Sequence, residues 1–215
     1  MPPVALTMMS EQTDHYFTAE PARAAERRAL RVFLAGRELM VETAPGVFCP
    51  DRVDIGTAVL LREAPEPPGH GNLLDLGCGW GPIALSLGLH SPHASIWAVD
   101  VNQRALGLAR DNAKALGIPD FRAVIPAEVP AEIRFSVIWS NPPIRVGKEM
   151  LHDMLLTWLP RLGAGGTAYL VVQKNLGADS LQRWLADHLD PGVLVVDRYA
   201  SARGFRLLSV HRKQA

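Results

Sequence analysis

The 215-residue sequence is 48% hydrophobic and 20% charged, with 22 Lys and Arg balancing 22 Asp and Glu. That length holds one sizeable core rather than two large domains, the composition excludes a disordered chain, and the zero net charge means that any nucleic-acid contact must come from a local basic patch. Cys49 and Cys78 lie far apart without Cys or His companions at ligand spacing, which points to neither a disulfide framework nor a metal site.

The N-terminal "MPPVALTMMSEQTD" lacks a basic stretch followed by a long apolar one, and no later apolar run reaches about 18 residues. The expectation is a cytoplasmic protein, neither secreted nor membrane-spanning. "PARAAERRALR" then sets Arg23, Arg27, Arg28 and Arg31 at helix-like spacing, which fits either a solvated helix face or a track for phosphates. "ALRVFLAGRELMVETA" (29 to 44) reads as two short strands about Ala35-Gly36, and "APEPPGHG" (64 to 71) as a linker. Residues 1–70 are therefore expected to form a small β-containing extension, and residues 71–215 the main domain.

From Asn72 onward short apolar runs alternate with helical patterns, the signature of an α/β fold with a largely parallel sheet. The expected strands are "NLLDL" (72 to 76), "SIWAVD" (95 to 100), "FRAVI" (121 to 125), "FSVIW" (135 to 139), "GTAYLVVQ" (166 to 173), "VLVVDRY" (193 to 199) and "FRLLSVH" (205 to 211). Helices are expected near 81 to 90, 102 to 116, 148 to 159 and 177 to 189, with "LGAGG" (162 to 166) and "LDPG" (189 to 192) as helix stops. The last two strands are joined only by "ASARG" (200 to 204), too short for a crossover helix, so the final strand runs antiparallel.

"LLDLGCGWGPIAL" puts Gly77, Gly79 and Gly81 between a strand and a helix, where alternate glycines let the backbone turn tightly and approach a ligand. Asp75 precedes them; a carboxylate there suits a cationic amino group and repels a pyrophosphate. Asp100 closes the next strand, the position where a carboxylate accepts from ribose hydroxyls in nucleotide folds. "DLGCGWG" followed by "AVDVN" resembles the cofactor motifs of class I S-adenosylmethionine-dependent methyltransferases, whose seven-stranded Rossmann-like sheet ends in a reversed strand. The resemblance implies S-adenosylmethionine as cofactor. Asp75, Gly77, Cys78, Gly79 and Gly81 would surround its methionine part, Asp100, Val101 and Asn102 its ribose, and Ala127 with Glu128 its adenine.

A strand that ends in "SNPPI" leaves an amide on a rigid backbone, because prolines stop the ladder. The Asn141 side-chain oxygen and the Pro142 carbonyl are two acceptors for the hydrogens of an exocyclic amine, and Pro142 and Pro143 fix both in place. "NPP" with an aromatic next resembles the amino-methyltransferase motif for adenine, guanine and glutamine amides. Ile144 stands where the aromatic is usual, so another ring would have to stack on a base.

"NPPIRVGKEMLHDM", "HYF" (15 to 17), "GRELMVETAPGVFCPDRVDIGT" (36 to 57) and "LVVQKNLGADSLQ" (170 to 182) resemble single-domain relatives of the ribosomal RNA small-subunit methyltransferase C group. That group methylates N2 of guanine in ribosomal RNA, and its larger members carry an additional N-terminal pseudo-methyltransferase domain. The resemblance implies Phe48, Asp54, Gly56 and Thr57, together with Asn141, as cofactor-pocket residues and Tyr16 and Phe17 as base-stacking candidates. Arg27, Arg31, Arg145 and Lys148 become RNA-contact candidates. The implied partner is ribosomal RNA or a ribosomal subunit, with no DNA and no membrane, as monomer or homodimer. Two other readings stay open: an N-methyltransferase for a protein glutamine or small amine, and a non-catalytic RNA-binding module with a retained cofactor pocket. His15, His152 and His188 lack companions and are expected in core or surface roles.

Overall fold

The computed structural model describes residues 26–144 and 147–214. Tyr16, Phe17, Arg23, His15 and Arg145 lie outside the described residues. Strands β3 (His70–Leu76), β4 (His93–Val99), β5 (Phe121–Val124), β6 (Phe135–Ser140), β7 (Leu162–Gln173), β8 (Leu194–Ala202) and β9 (Phe205–Arg212) form one sheet in the order β5-β4-β3-β6-β7-β9-β8. All neighbours pair in parallel except β7 with β9 and β9 with β8, so β9 is reversed as the short 200 to 204 connection requires. The chain starts at β3, fills one side through β5, then returns to the other side at β6, which makes the β3–β6 boundary the switch point where such sheets bind ligands.

The side-chain period of two divides the core between the faces of the sheet. Leu73, Ile96, Val137, Trp139, Tyr169 and Leu207 point to one face, under α1 (Ile55–Glu63), α2 (Pro82–His90) and α3 (Gln103–Ala115). Leu74, Trp97, Ile138, Leu170 and Leu208 point to the other, under α4 (Lys148–Trp158) and α5 (Ala178–His188). Both faces being covered explains why the strands read as continuous apolar runs. Among the described residues no helix is long and apolar enough to cross a membrane.

Three expectations are corrected. Arg27, Arg28 and Arg31 do not lie on a helix: Arg27 directly precedes strand β1 (Arg28–Leu34), which pairs antiparallel with β2 (Arg37–Thr43). Leu30, Val32 and Leu34 alternate inward, and Ala35 and Gly36, both at positive φ (48° and 73°), make the two-residue turn that closes the hairpin. Period-two burial has outweighed the local helical spacing. Helix α1 was not expected from the sequence; its nine residues are short, and its start is set by Asp54, whose carboxylate caps the amides of Gly56 and Thr57. "LGAGG" does not form a loop after α4 but opens β7, beside a register shift opposite Phe135 and Val137.

Candidate active site

The loop after β3 is shaped by three glycines in left-handed conformation, Gly77 (φ 80°), Gly79 (φ 53°) and Gly81 (φ 101°). The amides of Gly77 and Cys78 donate to the Val99 carbonyl at 2.8 and 3.0 Å, and that of Gly79 donates to the Asp100 carboxylate at 2.9 Å. A Cβ on Gly77 would meet nothing within 4 Å and one on Gly79 only the Phe48 Cβ at 4.0 Å, so both face open space. Gly81 serves packing instead, since a Cβ there would lie 3.1 Å from that of Ala109 on α3.

Two carboxylates flank this loop. Asp75 is fully buried; its Oδ2 accepts from the Ala84 amide at 2.9 Å, while Oδ1 has no hydrogen-bond partner among the described residues. Burial, with the neighbouring Asp100 charge adding to it, pushes its carboxyl well above the usual range. Burial also raises Asp100, against the opposing effect of amides from Asn102, Gly79 and Val101. The buried Cys78 thiol is pushed well up by desolvation and then by both carboxylates, which keeps it protonated and inert.

Asn141 follows β6, whose end is tied to β3 by a 2.7 Å hydrogen bond from the Ser140 hydroxyl to the Leu76 carbonyl. The Asn141 side-chain amide donates to Asp54 Oδ2 at 2.8 Å and to the Thr57 hydroxyl at 3.1 Å. A carboxylate only accepts, so these bonds fix which way the amide faces and set Asn141 Oδ1 as its acceptor end, on the side of Gly56. The cap of α1 thereby holds a side chain 87 residues further along the chain. Gly56 leaves room for this: a Cβ there would sit 3.0 Å from Asp54 Oδ2 and 3.2 Å from Asn141 Oδ1. The Pro142 carbonyl accepts from the Ile144 amide at 2.8 Å across Pro143, using one of its two lone pairs. Ile144 is half-buried against the α4–α5 side of the core.

A single cleft is lined by Phe48, Asp54, Thr57, Gly77, Gly79 and Asn141, joining residues from the segment before the sheet to both strand ends at the switch point. Phe48 is 39% exposed at this cleft. Asn102, Val101, Ala127, Arg27, Arg31 and Lys148, also singled out in the sequence, do not line this cleft. Asn102 is buried, capping α3 through the amides of Arg104 and Ala105 and donating to the Gly46 carbonyl at 2.8 Å. Val101 is exposed beside Asp100, and Ala127 is exposed on a 3-10 turn after β5. Arg27 pairs with Glu42 and Asp111 at 2.6 and 2.7 Å, Arg31 with Glu38 at 3.5 Å, and exposed Lys148 opens α4.

Sequence reasoning missed three residues at the site. Trp80 is buried and its indole donates to the Cys49 carbonyl at 3.2 Å, holding the segment before α1 over the glycine loop. Cys49 accommodates this at a positive φ of 45°. Phe205 brings its Cε1 within 3.0 Å of the same point above Gly56 that Asn141 Oδ1 approaches. A tryptophan inside "GCGWG" was a visible signal; nothing local marks Phe205, whose place depends on strand order. A larger depression of about 420 Å³, lined in part by Arg134, His188 and Arg212, lies at the opposite ends of the strands and holds none of these residues.

The family model described as "Methyltransferase small domain" matches residues 38–208. Among curated relatives, the uncharacterized protein YbxB of Bacillus subtilis is 32% identical over 181 residues, covering 83% of this chain and 90% of that protein. The ribosomal RNA small subunit methyltransferase C of Klebsiella pneumoniae is 38% identical over 144 residues, 64% of this chain and 41% of that protein. That of Hahella chejuensis is 35% identical over 163 residues, 71% of this chain and 45% of that protein. The chain thus spans less than half the length of the methyltransferase C relatives it matches. In fold it is similar to a T. thermophilus 16S rRNA N2 G1207 methyltransferase in complex with AdoMet and guanosine, with a TM-score of 0.71 at 23% identity, over 91% of this chain and 53% of that one. The glycine loop, the β4 acid and the Asn-Pro-Pro end of β6 all fall inside the matched span, and the chain belongs to the methyltransferase small domain family.

Proposed function

We propose that the protein transfers a methyl group from S-adenosylmethionine to an exocyclic amine, N2 of a guanine in ribosomal RNA. The observation that carries this reading is the locked Asn141 amide, whose donors are spent on Asp54 and Thr57 and whose oxygen is left as acceptor beside an open glycine cradle. An acceptor held in advance suits an N–H substrate.

The residues fit the cofactor. Two carboxylates beside the glycine loop favour a ligand with a cationic amino acid part over a pyrophosphate, and Asp75 Oδ1 lacks a donor that an ammonium group provides. The glycine loop and Asp75 would hold the methionine part, Asp100 the ribose hydroxyls, and Phe48 would cover the cleft. When bound, S-adenosylmethionine supplies an electrophilic methyl group on a sulfonium. Asn141 Oδ1 accepts one hydrogen of the substrate amine, and the second lone pair of the Pro142 carbonyl accepts the other. These bonds turn the nitrogen lone pair out of conjugation and toward the cleft, and both prolines keep the acceptors from needing to be ordered during reaction. Asp54 is occupied by Asn141 and the α1 amides, so the proton lost from the methylated nitrogen passes to water. In this reading the segment before residue 70 belongs functionally to the site, since it contributes Phe48, Asp54 and Thr57.

The test is transfer of labelled methyl from S-adenosylmethionine to small-subunit RNA and small subunits from a strain lacking the protein, with digestion to nucleosides. Labelled N2-methylguanosine that disappears in Asn141→Ala is the expected result. Label in a protein glutamine or small amine, with none in RNA, would replace the RNA reading, and cofactor binding without any transfer would leave a binding module.

A further inference from the structure

We propose that the acceptor nucleotide docks on the tip of the β8–β9 hairpin, with Phe205 as one wall of the base pocket and Lys174 and Arg203 on the flanking phosphates. The proposal rests on the RNA reading above and names the surface that reading needs. Ile144, half-buried against the core, offers no ring to a base, and Phe48 lies on the cofactor side of the cleft.

Phe205 is the first residue of β9 and pairs with Gln173 at the end of β7, on the same sheet edge as Asn141. Its Cε1 and Asn141 Oδ1 stand 3.0 and 3.2 Å from one point above Gly56, so the edge of an aromatic ring sits beside the proposed amine acceptor. The ring is only half-buried. An aromatic wall there packs on the flat face or edge of a base splayed out of its stack, the usual way single-stranded RNA is read.

The hairpin tip is cationic. Arg203 (φ 49°) and Gly204 (φ 80°) form its tight turn, and the Gly204 carbonyl accepts from the Lys174 amide at 2.8 Å, which brings Lys174 and Arg203 side by side next to Phe205. Both residues are exposed. Behind them Arg198 and Arg206 share the Asp179 carboxylate at 2.8 Å each, and hydrogen bonding and charge from Arg206 hold that carboxyl below the usual range. One carboxylate serves two guanidiniums and also attracts Lys174, and among the described residues no carboxylate lies within ion-pair distance of Lys174 or Arg203. On a chain with no net charge this local surplus, adjoining the acceptor atom, fits the phosphates of an RNA strand.

The experiment compares wild type, Lys174→Ala/Arg203→Ala, Phe205→Leu and Phe205→Tyr, using the same subunits and RNA and measuring S-adenosylmethionine affinity by equilibrium dialysis. The double variant should raise KM for RNA about tenfold with kcat and cofactor affinity kept, and flatten the log–log salt dependence of RNA binding by about 0.7 per residue removed. Phe205→Leu should lower kcat/KM for RNA, and Phe205→Tyr, which keeps the ring, should restore it. If wild type methylates RNA while the double variant keeps its KM and salt slope, or leucine serves as well as tyrosine at 205, the proposal is overturned. If wild type methylates no RNA, the functional reading has failed and the docking surface falls with it.

Discussion

Asn141 has two amide orientations, and only one leaves an oxygen for a substrate. Asp54 selects it, so Asp54→Asn, which offers the amide a donor as readily as an acceptor, removes the selection without removing volume. The expected result is a fall in kcat of about 10²-fold with cofactor affinity little changed, measured by steady-state methyl transfer at saturating cofactor. Asp75 gives a second prediction. Burial raises its carboxyl well above the ordinary carboxylate value, so the fold binds its proton more tightly than the unfolded chain does. Stability of the cofactor-free protein from this group is therefore present below that value and is lost as pH rises toward the raised one. Asp75→Asn should flatten the part of the melting-temperature profile that lies above the ordinary carboxylate range, while weakening S-adenosylmethionine binding. A variant that follows the wild-type profile would show that the fold does not raise the Asp75 carboxyl, against the account. At this scale the placement of Asp75, Asp100, the glycines and Asn141 at the ends of strands was legible, because each follows an apolar run. The role of Asp54 was not, because a contact across 87 residues leaves no periodic trace.

Elements explain why some residues were legible and others were not. The inner strands β3, β4, β6, β7 and β9 are covered on both faces, so they stood out as apolar runs, and α2 to α5 followed from the intervals between runs. The hairpin β1–β2 competed with a helical arginine spacing and won through alternating burial of Leu30, Val32 and Leu34. Helix α1 escaped notice, yet its N-cap and first turn hold the Asn141 amide in place. Gly56 is where that helix meets the site, and Gly56→Ala should push on Asp54, Phe205 and Asn141 together. Activity should fall by at least about tenfold while the melting temperature drops by only a few degrees, since the strain falls on site side chains and the core is untouched. Circular dichroism melting beside the transfer assay separates the two. Helix α3 gives a purely structural contrast: Asn102→Ala removes an N-cap and the bond to Gly46, and should cost about 1 to 2 kcal/mol in denaturant unfolding.

Across the whole molecule, the segment before residue 70 shares a core with the sheet: Val32, Leu34, Val41, Val59 and Leu60 pack in one cluster with Leu73, Ile96 and Trp139. The site is assembled from that shared packing, with Trp80 and Asn112 as further ties. Asn112 on α3 both donates to and accepts from the Glu42 backbone, and also donates to the Trp80 carbonyl. Cofactor at 100 times its dissociation constant should add about 2.7 kcal/mol and raise the melting temperature by roughly 5 to 10 °C. Tryptophans report both faces, with Trp80 and Trp139 on one and Trp97 and Trp158 on the other, so fluorescence and circular dichroism should follow one transition. An early transition confined to one probe would divide the molecule where the packing does not.

The central claim is that Asn141, held by Asp54, is the acceptor that prepares an exocyclic amine for methylation. The most direct measurement is the single-turnover rate of methyl transfer to small-subunit RNA, with cofactor and RNA saturating, in wild type, Asn141→Ala and Asp54→Asn. The account predicts losses of about 10²-fold or more in both variants with unchanged S-adenosylmethionine affinity. A wild-type rate in either variant would contradict it.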